Sequence, residues 1–452
     1  MNAPINRRAA LVQAGRAGLV LGLGSLASPS VQARTSANET VNVAVIGVRG
    51  RGRAHISGFA SLPNCRVSHL CDVDSDHFGP AVSELKAADK PVPTLAEDMR
   101  RVLDDKSVDA VVVATPDHWH ALATIWACQS GKDVYVEKPV SNNCWEGRQM
   151  VAAARKHNRI VQSGMQSRSA PYVISAKEYI TSGKLGRIEL VRVYNQKPQE
   201  NVVRSTSPQP KSLNWDMWNG CAPAQEFSPT MYSVWRAFWR YGGGEITNDG
   251  IHQLDIARFV LGLDLPKTVY TLARPFAEAG EAETPDTVTT TFDFGHLTMV
   301  FEQTLYAPYM LKSDQEVRNG DIFPWWQHNG ERIEIFGTKG QMMLCRHGGG
   351  WQVFGRQKAR QPVVLDQMYG RFPDRWHHEN FLASVRSREL PVGDIEEGHK
   401  TAMLCHAANI SYRVGNALLT LDAANERFTD NDDANKLLRY DYRKPYEVPG
   451  SV

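Results

Sequence analysis

The chain has 452 residues, which is long enough for two domains of ordinary size. It carries 51 basic and 49 acidic side chains, so its formal net charge is +2. This near-neutral balance, without charged runs, argues against nucleic-acid binding and against attachment to an acidic membrane surface. Seven scattered cysteines without a C-x-x-C pair argue against a disulfide framework and against a zinc site.

The first 33 residues have the order of an export signal. Arg7 and Arg8 precede an uncharged run at residues 17–27, and a small-residue cleavage site follows at residues 31–33. This run is too short for a membrane span, which needs about 20 apolar residues, and no other stretch of the sequence is a candidate. Paired arginines indicate the twin-arginine route, so we predict a periplasmic or otherwise exported protein, with a polar linker at residues 34–40. An uncleaved basic tail is the alternative.

The first domain, residues 41–164, alternates strands and helices as a doubly wound parallel sheet does. Its first strand, residues 41–46, runs into a turn that contains Gly47, Gly50 and Gly52. Glycines there let the main-chain amides at a helix N-terminus approach a diphosphate. The spacing is G-x-x-G-x-G rather than G-x-G-x-x-G, with Arg49 in place of the second glycine, so this pattern alone is weak evidence.

The second strand ends at Asp72, 20 residues after Gly52. In dinucleotide-binding folds an acid at this distance binds the adenosine ribose hydroxyls, and its charge repels a 2′-phosphate. The sequence therefore predicts NAD as the cofactor, with NADP less favoured. A turn or helix cap is the other role for Asp72.

Two further strands end in polar motifs. Residues 109–114 lead into Thr115-Pro116-Asp117-His118-Trp119-His120, and residues 134–136 lead into Glu137-Lys138-Pro139. Charged side chains are rarely buried without a partner, and ligands bind outside the carboxyl ends of parallel strands, so Lys138 is expected to face a ligand. By itself this tripeptide is more typical of a surface loop. The histidine pairs at positions 118 and 120 and at 377 and 378 have no matching ligand motif, so we predict no metal site.

The second domain is predicted at residues 165–415. Strands at residues 268–273, 287–294, 297–304, 331–336 and 341–345 are joined by short glycine-containing turns, which is typical of antiparallel hairpins. A tail, residues 416–452, is expected to pack on the two domains.

A glycine-rich motif, residues 242–255, leads into a helix that ends at Leu261. We expect Asn248 or Asp249 to cap this helix, which puts His252 in its first turn. The positive end of the helix dipole would keep the imidazole neutral near pH 7 and able to accept a hydroxyl proton. A capping or buried structural histidine is the alternative.

Four tryptophans, at positions 215, 218, 235 and 239, lie within 25 residues of one another. Tryptophan usually packs in a core, but this density also suits a stacking wall for a sugar. Trp235 and Arg236 are the favoured sugar contacts because they lie just before the glycine-rich motif.

Together these motifs resemble the Gfo/Idh/MocA oxidoreductases, named for glucose–fructose oxidoreductase and inositol dehydrogenase. The resemblance rests on the glycine turn, Cys71-Asp72-Val73-Asp74, Thr115-Pro116-x-x-Trp119-His120, Glu137-Lys138-Pro139, Gly243-Gly244-x(5)-Gly250-x-His252-x-x-Asp255 and Phe336-Gly337-Thr338-Lys339-Gly340. It implies an α/β Rossmann domain followed by an α+β domain with an open, mostly antiparallel sheet. It also implies a homo-oligomer, a dimer or tetramer, that oxidises or reduces a sugar or cyclitol with NAD(P).

The resemblance implies roles for two residues. Lys138 would contact both cofactor and substrate, and His252 would exchange the hydroxyl proton. The expected cofactor contacts are Gly47, Arg49, Gly50, Arg51, Gly52, Asp72, Thr115, Pro116, His120, Glu137, Lys138 and Gln166. The expected substrate contacts are Lys138, Trp235, Arg236, Asn248, Asp249 and His252. One position departs from the family: Asn248 replaces the usual Asp four residues before the histidine, and an amide brings no charge to tune Lys138 or His252.

An exported oxidoreductase meets little free NAD, so tight cofactor retention is expected. Two alternatives to a sugar or cyclitol oxidoreductase remain. One is a glycoside-processing enzyme that uses NAD transiently, through a 3-keto intermediate and elimination; Lys138 counts against the NAD-dependent glycosidase branch, which typically lacks this lysine. The other is a non-catalytic sugar-binding protein on the same fold.

Overall fold

The computed structural model describes residues 40–198, 202, 204–276, 281–358 and 361–452. The predicted export signal lies outside these ranges, as does the predicted linker except for its last residue. Within the described residues, no helix is both long enough and apolar enough to cross a membrane.

The first sheet, in the described part of the chain, has six parallel strands in the order β3-β2-β1-β4-β5-β6. The strands are β1 (Val41–Ile46), β2 (Cys65–Cys71), β3 (Thr94–Ala96), β4 (Ala110–Val113), β5 (Asp133–Val136) and β6 (Val161–Ser163). Alternate residues of β1 and β4 pack into two different apolar clusters, so both faces of the sheet are covered. This burial explains the continuous apolar runs in the sequence and confirms the predicted doubly wound sheet.

Helices connect these strands: α1 (Arg51–Ala60), α2 (Phe78–Ala87), α3 (Met99–Asp104), α4 (His120–Gln129) and α5 (Cys144–Lys156). The strand order reverses between β1 and β4, so the connections that leave these neighbours run to opposite sides. Such a reversal opens a crevice at the carboxyl ends of the strands, which is where ligands bind in this architecture.

The second sheet, counted over the described ranges, has ten strands in the order β14-β13-β12-β11-β7-β10-β9-β8-β15-β16. They are β7 (Ile188–Gln196), β8 (Thr268–Arg274), β9 (Thr287–Asp293), β10 (Thr298–Thr304), β11 (Arg332–Gly337), β12 (Gly340–Cys345), β13 (Trp351–Lys358), β14 (Gln361–Met368), β15 (Leu419–Asp422) and β16 (Arg427–Phe428). Every neighbouring pair is antiparallel except β7 and β10. The predicted mostly antiparallel sheet is confirmed, and β13 and β14 extend it beyond the predicted strands.

The remaining helices are α6 (Pro171–Thr181), α7 (Trp215–Asn219), α8 (Pro229–Val234), α9 (Ile251–Leu261), α10 (Gln315–Asn319), α11 (Asp374–Ser387), α12 (Ile395–Arg413) and α13 (Asp432–Lys436). Helix α12 packs against α5 of the first sheet and against α9 and β8 of the second. It approaches α5 closely because Gly147 has no side chain: a Cβ there would lie 2.2 Å from His399 Nδ1. Because α12 packs against both α5 and α9, it connects the helix that carries His252 to the parallel sheet.

Candidate active site

A cavity of about 510 Å³ lies at the crevice between β1 and β4. At one end it is lined by the glycine turn and Asp72, and at the other by Lys138 and side chains that follow the first domain in the sequence. Most of the predicted site residues line it: Gly47, Arg49, Gly50, Arg51, Asp72, Thr115, Pro116, His120, Glu137, Lys138, Gln166, Trp235, Arg236, Asn248 and His252. Gly52 and Asp249 do not.

The glycine turn forms a surface that fits a diphosphate. A Cβ on Gly47 would lie 2.7 Å from the carbonyl oxygen of Ala114, and a Cβ on Gly52 would lie 1.8 Å from that of Gly47. Gly50, by contrast, has a φ of +49° and nothing within 4 Å of its Cβ position. Helix α1 begins immediately after it, with no side-chain hydrogen bond at the cap. The first amides of α1 are therefore not capped by a side chain, as an anion site at a helix N-terminus requires.

Asp72 lies beside this turn and holds it in place. Its Oδ2 accepts a hydrogen bond from the Val48 amide at 2.9 Å, and its Oδ1 accepts one from the Asp74 amide at 3.0 Å. His77 Nδ1 is 3.3 Å from Oδ1, and the nearby Asp72 carboxylate raises the pKa of His77. His77 also lines the cavity, although the sequence pattern did not single it out. A protonated His77 offsets part of the negative charge that Asp72 brings to this end.

Glu137 is the centre of a buried polar cluster behind the cavity. Its Oε1 accepts hydrogen bonds from Arg51 Nε at 3.0 Å and Gln166 Nε2 at 3.0 Å, and lies 2.8 Å from His55 Nε2. Burial acts to raise the pKa of Glu137, but Arg51 and the His55 hydrogen bond outweigh it and hold that pKa well below its usual range. Arg51 also pairs with Asp374 of α11 at 2.6 Å. Glu137 is therefore a fixed anion that supports the segment carrying Lys138.

His120 joins the two strand-end motifs. Its Nδ1 lies 2.6 Å from the Pro139 carbonyl oxygen and its Nε2 lies 2.9 Å from that of Thr115. The hydroxyl of Thr115 is buried and has no hydrogen-bond partner among the described residues. An unpaired buried polar atom beside the glycine turn agrees with a polar ligand in this part of the cavity.

Lys138 is oriented by the residue that departs from the family pattern. Its Nζ donates to the Asn248 carbonyl oxygen at 2.6 Å and to Asn248 Oδ1 at 3.0 Å. Asn248 Nδ2 in turn donates to Glu245 Oε1 at 2.9 Å. Burial lowers the pKa of Lys138, against the effect of Glu137, Asp249 and other nearby acids. An amide thus fixes the position of the ammonium group without neutralising it.

The expectation that Asn248 or Asp249 caps the helix is wrong. The helical run begins at Gly244, passes through a π-helical turn at Ile246–Gly250 and continues directly into α9, so position 248 lies inside it. The cap of α9 is Gly250, with no side-chain hydrogen bond. The Asn248 side chain instead accepts a hydrogen bond from Lys138. The Asp249 carboxylate binds three cations, which are described next. π-turns of this kind occur frequently at functional sites.

Asp249 does not line the cavity but lies in an ion network beside it. Its carboxylate accepts hydrogen bonds from Lys197, from Lys312 Nζ at 2.7 Å and from Arg346 Nη1 at 3.0 Å. Burial acts to raise the pKa of Asp249, but these cations hold it well below its usual range. A substrate that contacted Asp249 directly, as predicted, would have to compete with the three cations that already bind its carboxylate oxygens.

His252 lines the cavity and is only 6% exposed. Its ring has no hydrogen-bond partner within the described part of the chain. Burial, followed by the charges of Arg346 and Lys138, lowers the pKa of His252 well below its ordinary value. The ring is therefore neutral near pH 7, as expected, but the cause is burial and neighbouring cations rather than a helix terminus, since helical residues precede it back to Gly244.

The structure adds residues that sequence patterns did not assign to the site. Asp117 is 3% exposed and lines the cavity, and no described residue hydrogen-bonds its carboxyl group. Burial raises the pKa of Asp117 well above its usual range. Its place directly after Thr115-Pro116 is a signal that could have found it. Arg346, His347 and Phe372 also line the cavity, and no local motif marks them.

The tryptophans divide between packing and the cavity wall. Trp215 and Trp218 stack with ring centroids 4.8 Å apart, in a buried cluster with Phe238 and Tyr241, and Trp218 also reaches the cavity. Trp235 lines the cavity beneath the Arg236 guanidinium, whose carbon lies 5.3 Å from the ring centroid. No group of three or more His, Cys, Asp or Glu side chains within the described ranges could hold a metal ion.

Solved structures share the fold over most of the chain. An aldose–aldose oxidoreductase from Caulobacter crescentus, complexed with glycerol, superposes with a TM-score of 0.64 at 18% identity, over 84% of this chain and 100% of that one. Levoglucosan dehydrogenase, in complex with NADH and levoglucosan, gives a TM-score of 0.63 at 18% identity, over 84% of this chain and 99% of that one.

Sequence relatives and family models agree with this fold. The chain is 25% identical over 301 residues to the uncharacterized oxidoreductase YrbE of Bacillus subtilis, covering 66% of this chain and 71% of that protein. It is 22% identical over 389 residues to the myo-inositol 2-dehydrogenase of Thermotoga maritima, covering 82% and 96%. Residues 41–165 match an oxidoreductase family with an NAD-binding Rossmann fold, residues 173–343 match the GFO/IDH/MocA C-terminal domain, and residues 341–448 match an oxidoreductase C-terminal alpha/beta domain. The chain therefore belongs to the Gfo/Idh/MocA family of oxidoreductases.

Proposed function

We propose that this protein transfers hydride between nicotinamide and a hydroxyl-bearing carbon of a sugar, sugar derivative or cyclitol. One observation carries the proposal: the Lys138 ammonium and a neutral His252 line one cavity with an uncapped glycine turn. The sequence relatives named as myo-inositol and levoglucosan dehydrogenases support this substrate class.

His252 is the base in this proposal. Its neutral ring, without a hydrogen-bond partner in the described residues, accepts the proton of the substrate hydroxyl. Lys138 uses two of its three donors on Asn248, which leaves one for the substrate oxygen. A charge-assisted hydrogen bond from this ammonium stabilises the negative charge that develops on the oxygen.

The glycine turn, Asp72, Thr115 and Lys138 are the residues that would hold NAD along the cavity. Bound nicotinamide supplies one piece of chemistry, the acceptance or return of a hydride. We propose NAD rather than NADP, because the Asp72 carboxylate repels a 2′-phosphate even with His77 beside it.

A panel of sugars and cyclitols, watched for reduction of NAD, tests the proposal. We expect at least one member to reduce the cofactor in the wild type and to fail in both Lys138→Met and His252→Ala. The proposal is abandoned if a variant that still binds NAD turns over at the wild-type rate.

We also propose export through the twin-arginine route and tight retention of the cofactor. The order of charged, uncharged and small residues in residues 1–33 supports export. Folding around a cofactor before export would account for both. Mass spectrometry of the nucleotide released by denaturing the purified protein tests retention, and a preparation that releases none would contradict it.

A further inference from the structure

Arg236 is a cavity-lining cation without a partner. No described acid lies within 4.0 Å of its guanidinium, and none of its nitrogens has a hydrogen bond to another described residue. Its Nε is covered by protein, so the terminal nitrogens are the ones available to a ligand. Arg346 also lines the cavity, but unlike Arg236 it is paired with acids, with Asp249 at 3.0 Å and with Glu331 at 3.2 Å.

Packing, rather than an ion pair, holds Arg236 in this position. Its guanidinium carbon lies 5.3 Å from the centroid of the Trp235 ring. Gly242 of the glycine-rich motif packs under the same segment: a Cβ there would lie 3.0 Å from Arg236 Cα and 3.2 Å from the Trp235 ring. The side chain is thus supported from below while its terminal nitrogens remain unpaired.

Arg236 lines the same cavity as the two reacting groups, Lys138 and His252. Asp117 lines it as well, and Lys138 and Arg236 are the two cations that act most strongly on its carboxyl group. Burial nevertheless raises the pKa of Asp117 well above its usual range. The Asp117 carboxyl group also lies more than 4.0 Å from the Arg236 guanidinium, so the two do not form an ion pair.

A charged group in a partly buried site is normally paired, because an unpaired charge there loses hydration without compensation. The two terminal nitrogens of a guanidinium match the two oxygens of a carboxylate, which they bind side by side. One unbalanced guanidinium matches a single negative charge, whereas a phosphate monoester would bring about −1.5 to −2. Trp235 and Phe372 also line this cavity, and aromatic side chains of this kind can pack against the apolar face of a sugar ring.

We propose that the substrate is a sugar acid, whose carboxylate binds Arg236 while one of its hydroxyls meets Lys138 and His252. This inference rests on the proposed function and narrows its substrate class. In this proposal Lys138 and His252 recognise the hydroxyl group that reacts, and Arg236 recognises the carboxylate of the same molecule.

Matched substrate pairs test it with NAD as the oxidant: glucuronate against glucose, and galacturonate against galactose. We expect kcat/KM to favour the acid in at least one pair by about tenfold or more, as a charge-assisted hydrogen bond allows. Arg236→Gln should raise KM for that acid by about 10- to 100-fold and raise KM for the neutral sugar by a clearly smaller factor. Arg236→Lys should raise KM for the acid less than Arg236→Gln does, because lysine keeps the positive charge but lacks the two parallel donors of the guanidinium.

Arg240→Gln is the matched control. Arg240 lies in the same segment, donates to Gln225 and does not line this cavity. Preference for the neutral members of both pairs would overturn the inference, and so would equal losses for acid and neutral sugar in Arg236→Gln or the same acid-specific loss in Arg240→Gln.

Calorimetry separates this inference from the proposed function. Absence of turnover with every sugar removes the proposed function, but binding of glucuronate and galacturonate to the NAD-loaded protein can still be measured. Binding that Arg236→Gln abolishes and Arg240→Gln retains supports the sugar-acid assignment. No binding of either acid to the wild type overturns it.

Discussion

The two ends of the cavity are built from different parts of the polypeptide. At the nucleotide end, the main chain supplies the surface, because Gly47, Gly50 and Gly52 bring backbone atoms and the start of α1 together. At the reaction end, side chains from separate segments meet: Lys138 follows β5, while His252 belongs to α9. At the nucleotide end, a substitution should matter only when it changes the backbone geometry. At the reaction end, a substitution should matter when it removes one of the charged or polar side chains.

Two buried acids show the same contrast in their charge. Glu137 and Asp117 are 4% and 3% exposed, so burial acts against ionisation of both. Hydrogen bonds and the Arg51 charge hold the pKa of Glu137 well below its usual range, while Asp117, without a hydrogen bond to any described residue, has a pKa well above it. The partners, not the depth of burial, decide which acid is charged.

The largest effect should come from the reaction end. His252→Ala removes the proposed base, so we expect kcat to fall by about 10²- to 10⁴-fold. The affinity for NAD, measured by fluorescence titration, should change little because the glycine turn is untouched. An equal loss of NAD affinity would show that the two ends are not independent.

Lys138→Met should have the next largest effect, about 10²-fold on kcat, because it removes the charge-assisted donor. NAD should still bind, which equilibrium titration checks. Lys86→Met is the matched control, since Lys86 is exposed on α2 and does not line the cavity. Comparable losses in both variants would show that Lys138 has no special role.

Gly52→Ala tests the nucleotide end. The added Cβ would lie 1.8 Å from the Gly47 carbonyl oxygen, so the turn must move, at a cost of about 1–3 kcal/mol in the free energy of unfolding. Gly79→Ala is the control, because nothing lies within 4 Å of its Cβ position and it lies in a helix. Thermal unfolding should show a lower Tm for the first variant only; equal Tm values would contradict the close packing.

The smallest effect concerns pH. Neutral His252 is the active form and its pKa lies well below 6.5, so kcat/KM should not fall on acidification until the pH is below 6.5. Charged Lys138 is the active form and burial lowers its pKa below 10.5, so activity should fall again on the alkaline side before pH 10.5. An acid limb above 6.5 in the pH–rate profile would contradict the first statement.

Asn248→Asp sharpens that test. It places a carboxylate where Oδ1 now accepts from Lys138 at 3.0 Å, which favours the ammonium form. The alkaline limb should move up by about one pH unit. An unmoved limb would mean that another group sets it.

The nucleotide end was predictable because its signal is local. A strand, three glycines and an acid 20 residues later are a continuous pattern, and Lys138 and His252 each stand in a short motif. Arg346 was not predictable, since only the pairing of β12 in the second sheet brings it beside Asp249. The helix cap was mispredicted because the helical run already begins at Gly244, and because Asp249 pairs with Lys197, which is far away in the sequence. The hairpin β13–β14 was missed because β14 is exposed over nearly its whole length and lacks an apolar alternation.

The segment that carries Trp235 and Arg236 is separate from α9, which carries His252, and from the residues after β5, which include Lys138. Change in that segment can alter which molecules the protein accepts while the atoms that handle the hydroxyl stay where they are. For enzyme engineering this makes Trp235 and Arg236 the positions at which to change substrate preference while Lys138 and His252 are kept.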